Sequence, residues 1–259
     1  MLRISVVIPA WNDAEMLARA LDALAAQLRP ADEIVVVDNA STDDTAAVAE
    51  AAGARVIFEP LQGIWPAAAA GYDAASGDII ARLDADSVPP IDWLMHIEAE
   101  LTLSPDVDVI TGPGDFYDCN IIVAFLGETF YIGGFFHTVN LWLTQSPIFG
   151  SNFAMRRDIW LGVRDSVHRW RGDIHDDLDL SLHLDPTVNV AYEPSLRVGI
   201  SARPFSTWSG FSRRLIWAYR TFAMHPEQTP WRRAAINRAT RTLEAERGIS
   251  GCQGLAGGW

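Results

Sequence analysis

The residues whose types and spacing could do chemistry are mainly acidic, and Asp84 and Asp86 in the stretch RLDADSVPP are the first pair of this kind. They directly follow an apolar run, where a strand should end. Carboxylate oxygens are hard ligands, and two of them one residue apart can hold Mg²⁺ or Mn²⁺ together with a diphosphate. The alternative is that Asp84 or Asp86 caps a helix that begins near Pro90. The pair by itself leaves both interpretations open.

Two further acidic groups occur at comparable places. Asp38, in VVVDNASTDDT, closes another apolar run. Ser41 or Thr42 can N-cap the next helix, with Asp44 in its first turn, but Asp38 precedes that cap. A carboxylate at this point can accept a hydrogen bond from a base or a sugar hydroxyl. The second group, HDDLDL, contains Asp177. Its acids either interact favourably with the positive N-terminal end of a helix dipole, or one of them serves as a general base.

The elements that position these groups follow from hydrophobic periodicity. The runs ISVVIP, EIVVVD, RVIF and DIIARL are nearly continuously apolar, as buried parallel strands are. Alanine-rich stretches of helical period lie between them, as at Leu17, Leu21, Leu24 and Leu28. This alternation predicts an α/β fold with a Rossmann-like, doubly wound, mostly parallel sheet and C-terminal helices. Because ligands bind beyond the carboxyl ends of such strands, we expect the acidic loops to open onto one edge.

Four segments, taken together, resemble a known family. VVIPAWND, VVVDNASTDDT, GDIIARLDADS and GSNFAMRR…HDDLDL, in this order and spacing, are similar to the family 2 glycosyltransferases of the GT-A fold, over about residues 3–185. The resemblance implies a metal-dependent, inverting enzyme of the hexosyltransferase type. Such an enzyme moves a sugar from a UDP- or GDP-linked donor to the hydroxyl of a carbohydrate or lipid-linked acceptor, with Mg²⁺ or Mn²⁺ as cofactor.

The resemblance also implies donor-binding residues. Pro9, Ala10 and Asn12 match the loop that lines the nucleotide pocket. Asp13 or Glu15 stands where an acidic residue usually follows in the family. Asp38 matches the carboxylate that reads the base.

The remaining implied site residues concern the metal and the reaction. Asp84 would lie near the ribose and the metal, and Asp86 would be the direct metal ligand beneath the diphosphate. Asp177 matches the catalytic base, with Asp176 as its nearest rival. Arg214 would close over the diphosphate, unless it belongs to a solvated basic helix face.

The sequence departs from the family pattern at two places. The usual Arg-Asn before the glycine of the third helix is replaced by Ala68 and Ala69, which precede Gly71. This loss slightly favours, as the alternative, a non-catalytic nucleotide-sugar binding relative, whereas the intact Asp84, Asp86 and Asp177 oppose it. The Q-x-x-R-W motif of processive synthases is replaced by FSRRLIWAYR. We therefore expect a non-processive, single-transfer enzyme.

We interpret residues 1–259 as a single GT-A domain. Residues 1–110 would bind the nucleotide sugar, 111–205 would hold the acceptor and the base, and 206–259 would form basic amphipathic helices. The aromatic stretch 121–149 is either a lid, a membrane-dipping surface or a core helix. The stripe at 206–224 either lies on an anionic membrane or packs onto the sheet. A membrane-proximal acceptor and peripheral contact with the inner face of the membrane are consistent with both segments.

Composition excludes several other classes. The net charge is −13, with ten arginines against three acids from residue 196 onward and no lysine in the chain. This asymmetry argues against wrapping a nucleic acid, and the absence of lysine excludes a P-loop kinase. No G-x-G-x-x-G follows the first strand, which excludes a Rossmann dehydrogenase.

Cysteine and histidine spacing indicates no further site. Cys119 and Cys252 form neither a zinc nor a disulfide pattern, which is typical of a cytoplasmic protein. The sequence places His137, His168 and His183 as lone residues without a role. His175 stands beside the acidic HDDLDL and could help to bind metal.

Overall fold

The computed structural model describes residues 1–120, 127, 133–143, 145–203 and 208–236. The strands are β1 (Ile4–Ala10), β2 (Glu33–Asp38), β3 (Arg55–Phe58), β4 (Ile79–Leu83), β5 (Val109–Thr111), β6 (Gly114–Phe116), β7 (Asn152–Arg156), β8 (Val190–Tyr192) and β9 (Val198–Ile200). The helices are α1 (Ala14–Ala25), α2 (Thr45–Ala51), α3 (Ile64–Ala74), α4 (Trp93–Leu103), α5 (Gly133–Leu143), α6 (Arg157–Val163), α7 (Asp176–His183) and α8 (Trp208–Ala223). Parts of the stretch 121–149, the tail after residue 236 and Cys252 lie outside the described residues.

The central sheet has the strand order β3-β2-β1-β4-β7-β5-β8. Neighbouring strands of this sheet run parallel, except that β7 is antiparallel to both β4 and β5. The strands β6 and β9 pair in parallel in a small second sheet. The prediction of a mostly parallel α/β sheet is therefore confirmed. Since β1 lies between β2 and β4, the strand order reverses at β1, and the carboxyl ends of these three strands share one edge. In such sheets, this reversal is where a crevice for a ligand opens.

The sheet is buried on both faces, which explains the continuous apolar runs. Successive residues of a strand point to opposite faces, so Val6 of β1 packs with Leu17 of α1, whereas Val7 packs with Trp65 of α3. All four side chains are inaccessible to solvent. Burial on both faces holds the strand ends, and hence the loops that follow them, in a fixed arrangement.

The predicted cap of α2 was wrong. This helix begins at Thr45, and Asp44 occupies the N-cap position without a side-chain capping bond. Asp43 instead accepts hydrogen bonds from the Thr45 amide (3.1 Å) and hydroxyl (2.5 Å). Ser41 and Thr42 lie too far before the helix to cap it, so their side chains are available to the neighbouring loop.

The helix-cap interpretation of the D-x-D pair is also excluded. The helix α4 begins at Trp93, and Asp92 is at its N-cap position. Asp84 and Asp86 precede it by several residues, and their carboxylates contact other partners. A local helix signal therefore does not account for either aspartate.

The helix α5 lies within the aromatic stretch 121–149. Val139 and Leu143 of α5 are buried against Leu178 and Leu182 of α7. Leu141 and Trp142 of the same helix are exposed, so α5 packs one face on α7 and leaves the other face open to solvent. In the part of the chain that the structure describes, we find no helix whose length and apolarity would let it cross a membrane.

Candidate functional site

A cavity of about 450 Å³ opens at the edge where β1 and β2 end. This volume lies within the range of small-molecule sites in proteins. Two of the predicted donor-binding residues, Pro9 and Ala10, line it. Its wall also includes the following side chains and backbone segments: Trp11, Asn39, Gln62, Gly63, Ile64, Ala67, Gly172, Arg213 and Trp217. The strand-end loops and α8 thus enclose one ligand-sized space.

The loops after β1 and β2 are locked to each other by Asn12. Its amide donates to the Ser41 hydroxyl (3.0 Å), and its side-chain oxygen accepts from the Thr42 amide (2.7 Å). Asn12 has φ 49°, and Ala40 in the second loop has φ 58°. A left-handed conformation costs a non-glycine residue about 1–2 kcal/mol, so the surrounding hydrogen bonds must stabilise it. The predicted residue Asn12 therefore shapes the cavity edge in this structure.

Asp38 and Asn39 stabilise the loop after β2 by hydrogen bonds to its backbone and to the segment after β3. Asp38 is buried, and its Oδ1 accepts from the Ser41 amide (3.1 Å). The buried Asn39 donates to the carbonyls of Glu59 (2.9 Å) and Leu61 (2.8 Å). Sequence reasoning missed Asn39; its place directly after Asp38 at a strand end was the available signal.

Gly63 continues this wall at the start of α3. Its amide donates to Asn39 Oδ1 (2.8 Å), and its φ is 146°. A Cβ at this position would lie 2.7 Å from the Cα of Gly172. Both the backbone conformation and the close approach therefore require glycine, which lets the chain pass directly beside the cavity.

Asp86 lies against a cation that sequence reasoning did not find. Arg203 donates to Asp86 Oδ2 (3.0 Å) and to both oxygens of Asp13 (2.9 and 2.6 Å). Burial raises the pKa of Asp86 to about 6, the neighbouring Asp84 adds to this rise, and Arg203 opposes it. Hydrogen bonding to Asp13 raises the pKa of Arg203. Two predicted acidic residues, Asp13 and Asp86, are thus brought together by one guanidinium.

Asp84 is held by neighbours on both of its oxygens. Oδ1 accepts from Arg82 (2.8 Å), and Oδ2 accepts from the Ser151 hydroxyl (2.5 Å). Both carboxylates of the D-x-D pair thus already contact a guanidinium, Asp84 that of Arg82 and Asp86 that of Arg203. Carboxylates of this kind are the ligands that Mg²⁺ and Mn²⁺ prefer, so the residues present fit such an ion.

Behind Asp84 lies a buried ion pair between Arg82 and Asp176. Burial would lower the pKa of Arg82, but the carboxylates of Asp176 and Asp84 raise it overall. Burial raises the pKa of Asp176, and Arg82 opposes that rise. Only 6% of the Asp176 side chain is exposed. Asp176 is therefore paired with Arg82 in the core, and this pair positions the Arg82 guanidinium behind Asp84.

Asp177 is the more accessible of the two neighbouring aspartates. Its side chain is 15% exposed. Its Oδ2 accepts from the Gly150 amide (3.0 Å), and its Oδ1 accepts from the Leu178 amide (2.8 Å). Because Gly150 and Ser151 are adjacent, one short segment joins Asp177 to Asp84. The structure thus brings the predicted base and Asp84, the first member of the D-x-D pair, into one hydrogen-bonded network.

The tail arginines divide between the cavity and other contacts. Arg213 lines the cavity, together with Trp217. The backbone carbonyl of the predicted residue Arg214 instead accepts from His175 Nε2 (3.0 Å). His175 Nδ1 lies 4.0 Å from Asp177 Oδ1, so this histidine is near the predicted base. The role of the Arg214 side chain stays a prediction.

The interpretation of His168 and His183 as lone residues was wrong. Both lie beside His225, and all three surround the buried carboxylate of Asp179. They are far apart in the sequence and carry no motif, so the chain order offered no signal of this contact.

Comparison with known proteins shows what the chain is similar to. Residues 5–162, more than half of the chain, match the family model for glycosyl transferase family 2. An uncharacterised glycosyltransferase of Mycobacterium tuberculosis is 41% identical over 109 residues, which are 42% of this chain and 47% of the relative. An undecaprenyl-phosphate 4-deoxy-4-formamido-L-arabinose transferase of Pseudomonas fluorescens is 33% identical over 114 residues, 40% of this chain and 34% of the relative. This chain therefore matches less than half of the length of either curated relative.

Solved structures show the same fold. Glucosyl-3-phosphoglycerate synthase from Mycobacterium tuberculosis, in complex with Mn²⁺, UDP and glucosyl-3-phosphoglycerate, has a TM-score of 0.58 and 20% identity; the match covers 83% of this chain and 77% of that chain. TarS 1–349 from S. aureus has a TM-score of 0.59 and 15% identity, covering 78% of this chain and 61% of that chain. The prediction of a GT-A fold is confirmed.

Proposed function

Because the chain belongs to glycosyl transferase family 2, we propose that it moves a sugar from a nucleotide-diphosphate sugar to an acceptor hydroxyl. The observation that carries this proposal is the network at the sheet edge. There, Gly150 and Ser151 tie the carboxylate of Asp177 to that of Asp84. A ligand-sized cavity opens at the same edge of the sheet. A donor site and a base can thus serve one reaction.

We assign the nucleoside of the donor to the cavity. Trp11 and Trp217 offer aromatic surfaces there, and Pro9 and Ala10 form the adjoining wall. We assign recognition of the base to the buried Asp38, which directly precedes the cavity-lining Asn39, and Asn12 holds the two loops together by its hydrogen bonds. The similar mycobacterial synthase was solved with UDP, which supports a UDP-linked donor over a GDP-linked one.

We assign the metal, Mg²⁺ or Mn²⁺, to Asp86, with Asp84 held beside it by Arg82 and Ser151. When bound, this ion neutralises the leaving diphosphate. Arg203 supplies positive charge at the same place, because it already contacts Asp86 and Asp13. We further propose that Arg214 contributes charge to the diphosphate from α8.

The proposed chemistry is a single displacement with inversion. Asp177 accepts the proton of the acceptor hydroxyl while that oxygen bonds to the anomeric carbon, and the bond from this carbon to the diphosphate breaks. The amides of Gly150 and Leu178 fix the carboxylate in place. Asp176, whose carboxylate is paired with Arg82, holds that network together.

We propose that the acceptor is lipid-linked or lies close to a membrane. One relative is named for an undecaprenyl-phosphate acceptor. On α8, the exposed residues Leu215, Ile216 and Tyr219 recur at helical spacing beside the exposed Arg213. A basic helix with such an apolar face can bind an anionic membrane surface peripherally. Because the processive motif is missing, one sugar is transferred per encounter.

Calorimetry of nucleotide binding tests the donor site. UDP and GDP are titrated into the wild type, Asp86→Ala and Asp165→Ala, each with Mn²⁺ or with EDTA. Asp165 is an exposed control carboxylate. We expect metal-dependent binding of UDP by the wild type and Asp165→Ala, and loss of that dependence in Asp86→Ala. Absence of binding by the folded wild type would overturn the donor assignment.

Turnover separates the enzyme from a binding protein that has lost catalysis. Asp177→Asn and the control Asp165→Asn are compared for release of UDP from a panel of UDP-sugars with lipid-linked acceptors. We expect Asp177→Asn to keep nucleotide binding and to lose turnover, while the control keeps both. Equal turnover in the two variants would contradict the role of Asp177 as the base.

A further inference from the structure

Four potential metal ligands meet away from the D-x-D pair. They are His168 after α6, Asp179 and His183 on α7, and His225 after α8. Each contributes one ligand atom, and these atoms all lie within 4.8 Å of one another. Residues from three segments of the chain therefore converge on one point behind the helix that carries Asp177.

The separations fit a small tetrahedral ion. Asp179 Oδ1 lies 2.8 Å from His168 Nδ1, 3.6 Å from His183 Nδ1 and 3.3 Å from His225 Nε2. His225 Nε2 lies 3.3 Å from His183 Nδ1. In a tetrahedral site with Zn–N bonds of 2.0–2.1 Å, neighbouring ligand atoms are about 3.3 Å apart. Small side-chain adjustments would therefore complete the geometry.

The hydrogen bonds of His225 leave a lone pair directed at this point. Its Nδ1 lies 2.7 Å from the Thr221 carbonyl, which can only accept, so Nδ1 is the donor. In the neutral ring, Nε2 is then an acceptor facing Asp179 Oδ1, which is another acceptor. Nε2 also lies 3.3 Å from His183 Nδ1, so in the metal-free chain its lone pair can accept from that nitrogen, and a cation between Nε2 and Asp179 Oδ1 would take the place of this contact. A carbonyl that holds the far nitrogen is also the usual support of a metal-ligating histidine.

The carboxylate of Asp179 faces the same point. It is completely buried, and its Oδ2 accepts from the Trp65 indole (2.8 Å) and the His168 amide (2.9 Å). Its Oδ1 faces the imidazoles and lies 2.8 Å from His168 Nδ1, a hydrogen bond that an ion at this point would replace. Among the residues that the structure describes, no guanidinium pairs with this carboxylate. Since a buried charge needs compensation, a divalent cation at Oδ1 would supply it.

We propose that His168, Asp179, His183 and His225 form a structural site for Zn²⁺ or a similar transition-metal ion. Three imidazoles and one carboxylate suit Zn²⁺, whereas the oxygen-only pair at Asp84 and Asp86 suits Mg²⁺ or Mn²⁺. Four protein ligands leave no open position, which is typical of a structural rather than a catalytic zinc site. The ion enters past His168, whose side chain is 32% exposed.

Existing hydrogen bonds within the cluster change when the ion binds. The ion replaces the contact of His168 Nδ1 with Asp179 Oδ1 (2.8 Å) and that of His225 Nε2 with His183 Nδ1 (3.3 Å). His183 Nδ1 lies 2.8 Å from the carbonyl of Asp179 one helical turn earlier. As a ligand, this nitrogen gives its lone pair to the ion and loses that bond. In return, the ion links α7 to the segment after α6 and to the end of α8. The helix bearing Asp177 is thereby fixed to the part of the chain that bears Arg213.

Metal analysis of the purified protein tests the site without any donor or acceptor. The full chain is stripped with a chelator, titrated with Zn²⁺ or Co²⁺, and followed by elemental analysis, Co²⁺ absorption and thermal unfolding. We expect one Zn²⁺ per chain, a tetrahedral Co²⁺ spectrum and a higher melting temperature with Zn²⁺. Loss of one ligand in His168→Gln should weaken Zn²⁺ binding by more than about 100-fold, the upper range for loss of a group that only supports a ligand.

Two controls make the result specific. His137→Gln removes an exposed histidine outside the cluster and should bind Zn²⁺ as the wild type does. Asp86→Ala should also keep its Zn²⁺, so failure of the donor site and failure of this site are distinguishable. His225→Gln repeats the test at a buried ligand. If His225→Gln does not fold, the result of His168→Gln decides, because the His168 side chain is partly exposed. Absence of Zn²⁺ binding by the wild type, or equal affinity in His168→Gln, would overturn the proposal.

Discussion

Replacing Asp86 by asparagine should stabilise the metal-free protein. Asp86 is mostly buried beside Asp84, and the pKa of its carboxyl is raised to about 6 by burial and by that neighbour. At neutral and alkaline pH, Asp86 is therefore ionised in an environment that stabilises its charge less than water does in the unfolded chain. An asparagine side chain at this position would be neutral and nearly the same size. Arg203 would keep its two bonds to Asp13.

The magnitude follows from proton linkage. The pKa of Asp86 is about 6 in the folded chain and 3.8 ordinarily. At about 1.4 kcal/mol per pKa unit, ionised Asp86 costs the folded state about 3 kcal/mol, which is an upper value for the gain from asparagine. Because the folded-state pKa is raised, the contribution of the protonated carboxyl is fully present below pH 3.8 and is lost as the pH rises through about 6. The advantage of Asp86→Asn should therefore grow between pH 3.8 and about 6 and be complete above pH 6.

The assay is urea unfolding of the wild type, Asp86→Asn and the control Asp165→Asn with EDTA, over a pH series. We expect Asp86→Asn to gain about 1–3 kcal/mol in the free energy of unfolding near pH 8, and to lose this gain at the acid end. Asp165→Asn should match the wild type throughout. If Asp86→Asn is no more stable than the wild type near pH 8, the reasoning that burial and Asp84 destabilise this charge is refuted.

Three further substitutions test the packing and the network. Gly71→Ala would press a methyl carbon into the side chain of Val7 on β1 and should lower the free energy of unfolding by about 1–3 kcal/mol. In the control Gly162→Ala, the added methyl carbon has nothing within 4 Å, so the free energy of unfolding should not fall. Equal stabilities of the two variants would contradict the close helix–sheet contact. Arg82→Met leaves the buried Asp176 without its partner and should lower the free energy of unfolding, measured by chemical denaturation, by about 3–5 kcal/mol. A loss below about 1 kcal/mol would show that the ion pair is not desolvated in the folded chain. Asp177→Asn should lower kcat about 10²–10⁴-fold, and a pH–rate profile that keeps its acidic limb would exclude Asp177 as the base.

Much of the fold could be predicted because its signals are local. The boundaries of β1, β2 and β4 lie within a residue or two of the apolar runs, since strands buried on both faces must be apolar throughout. Asp38 ends β2 and Asp84 directly follows β4, so both were placed at the carboxyl edge by the parallel arrangement alone. Pro9 and Ala10 were found beside the cavity for the same reason.

The partners of these residues could not be predicted. Arg203 reaches Asp86 across 117 positions, and Arg82 reaches Asp176 across 94. Arg82 lies in an apolar run that predicts a buried strand, but no local pattern around Arg82 or Arg203 indicates which carboxylate it meets. Which of the adjacent carboxylates of Asp176 and Asp177 meets the buried guanidinium of Arg82 depends on how α7 is placed in the folded chain.

By itself, the sequence determined the order of strands and helices and the edge of the sheet at which the acidic loops open, because periodicity and strand-end position are properties of neighbouring residues. Only the tertiary structure decided that Arg203 would lie against Asp86 and that His168, His183 and His225 would surround Asp179. Those contacts arise when distant segments pack on a common sheet, and the electrostatic free energy of a charged side chain depends on the partners and burial that this packing creates.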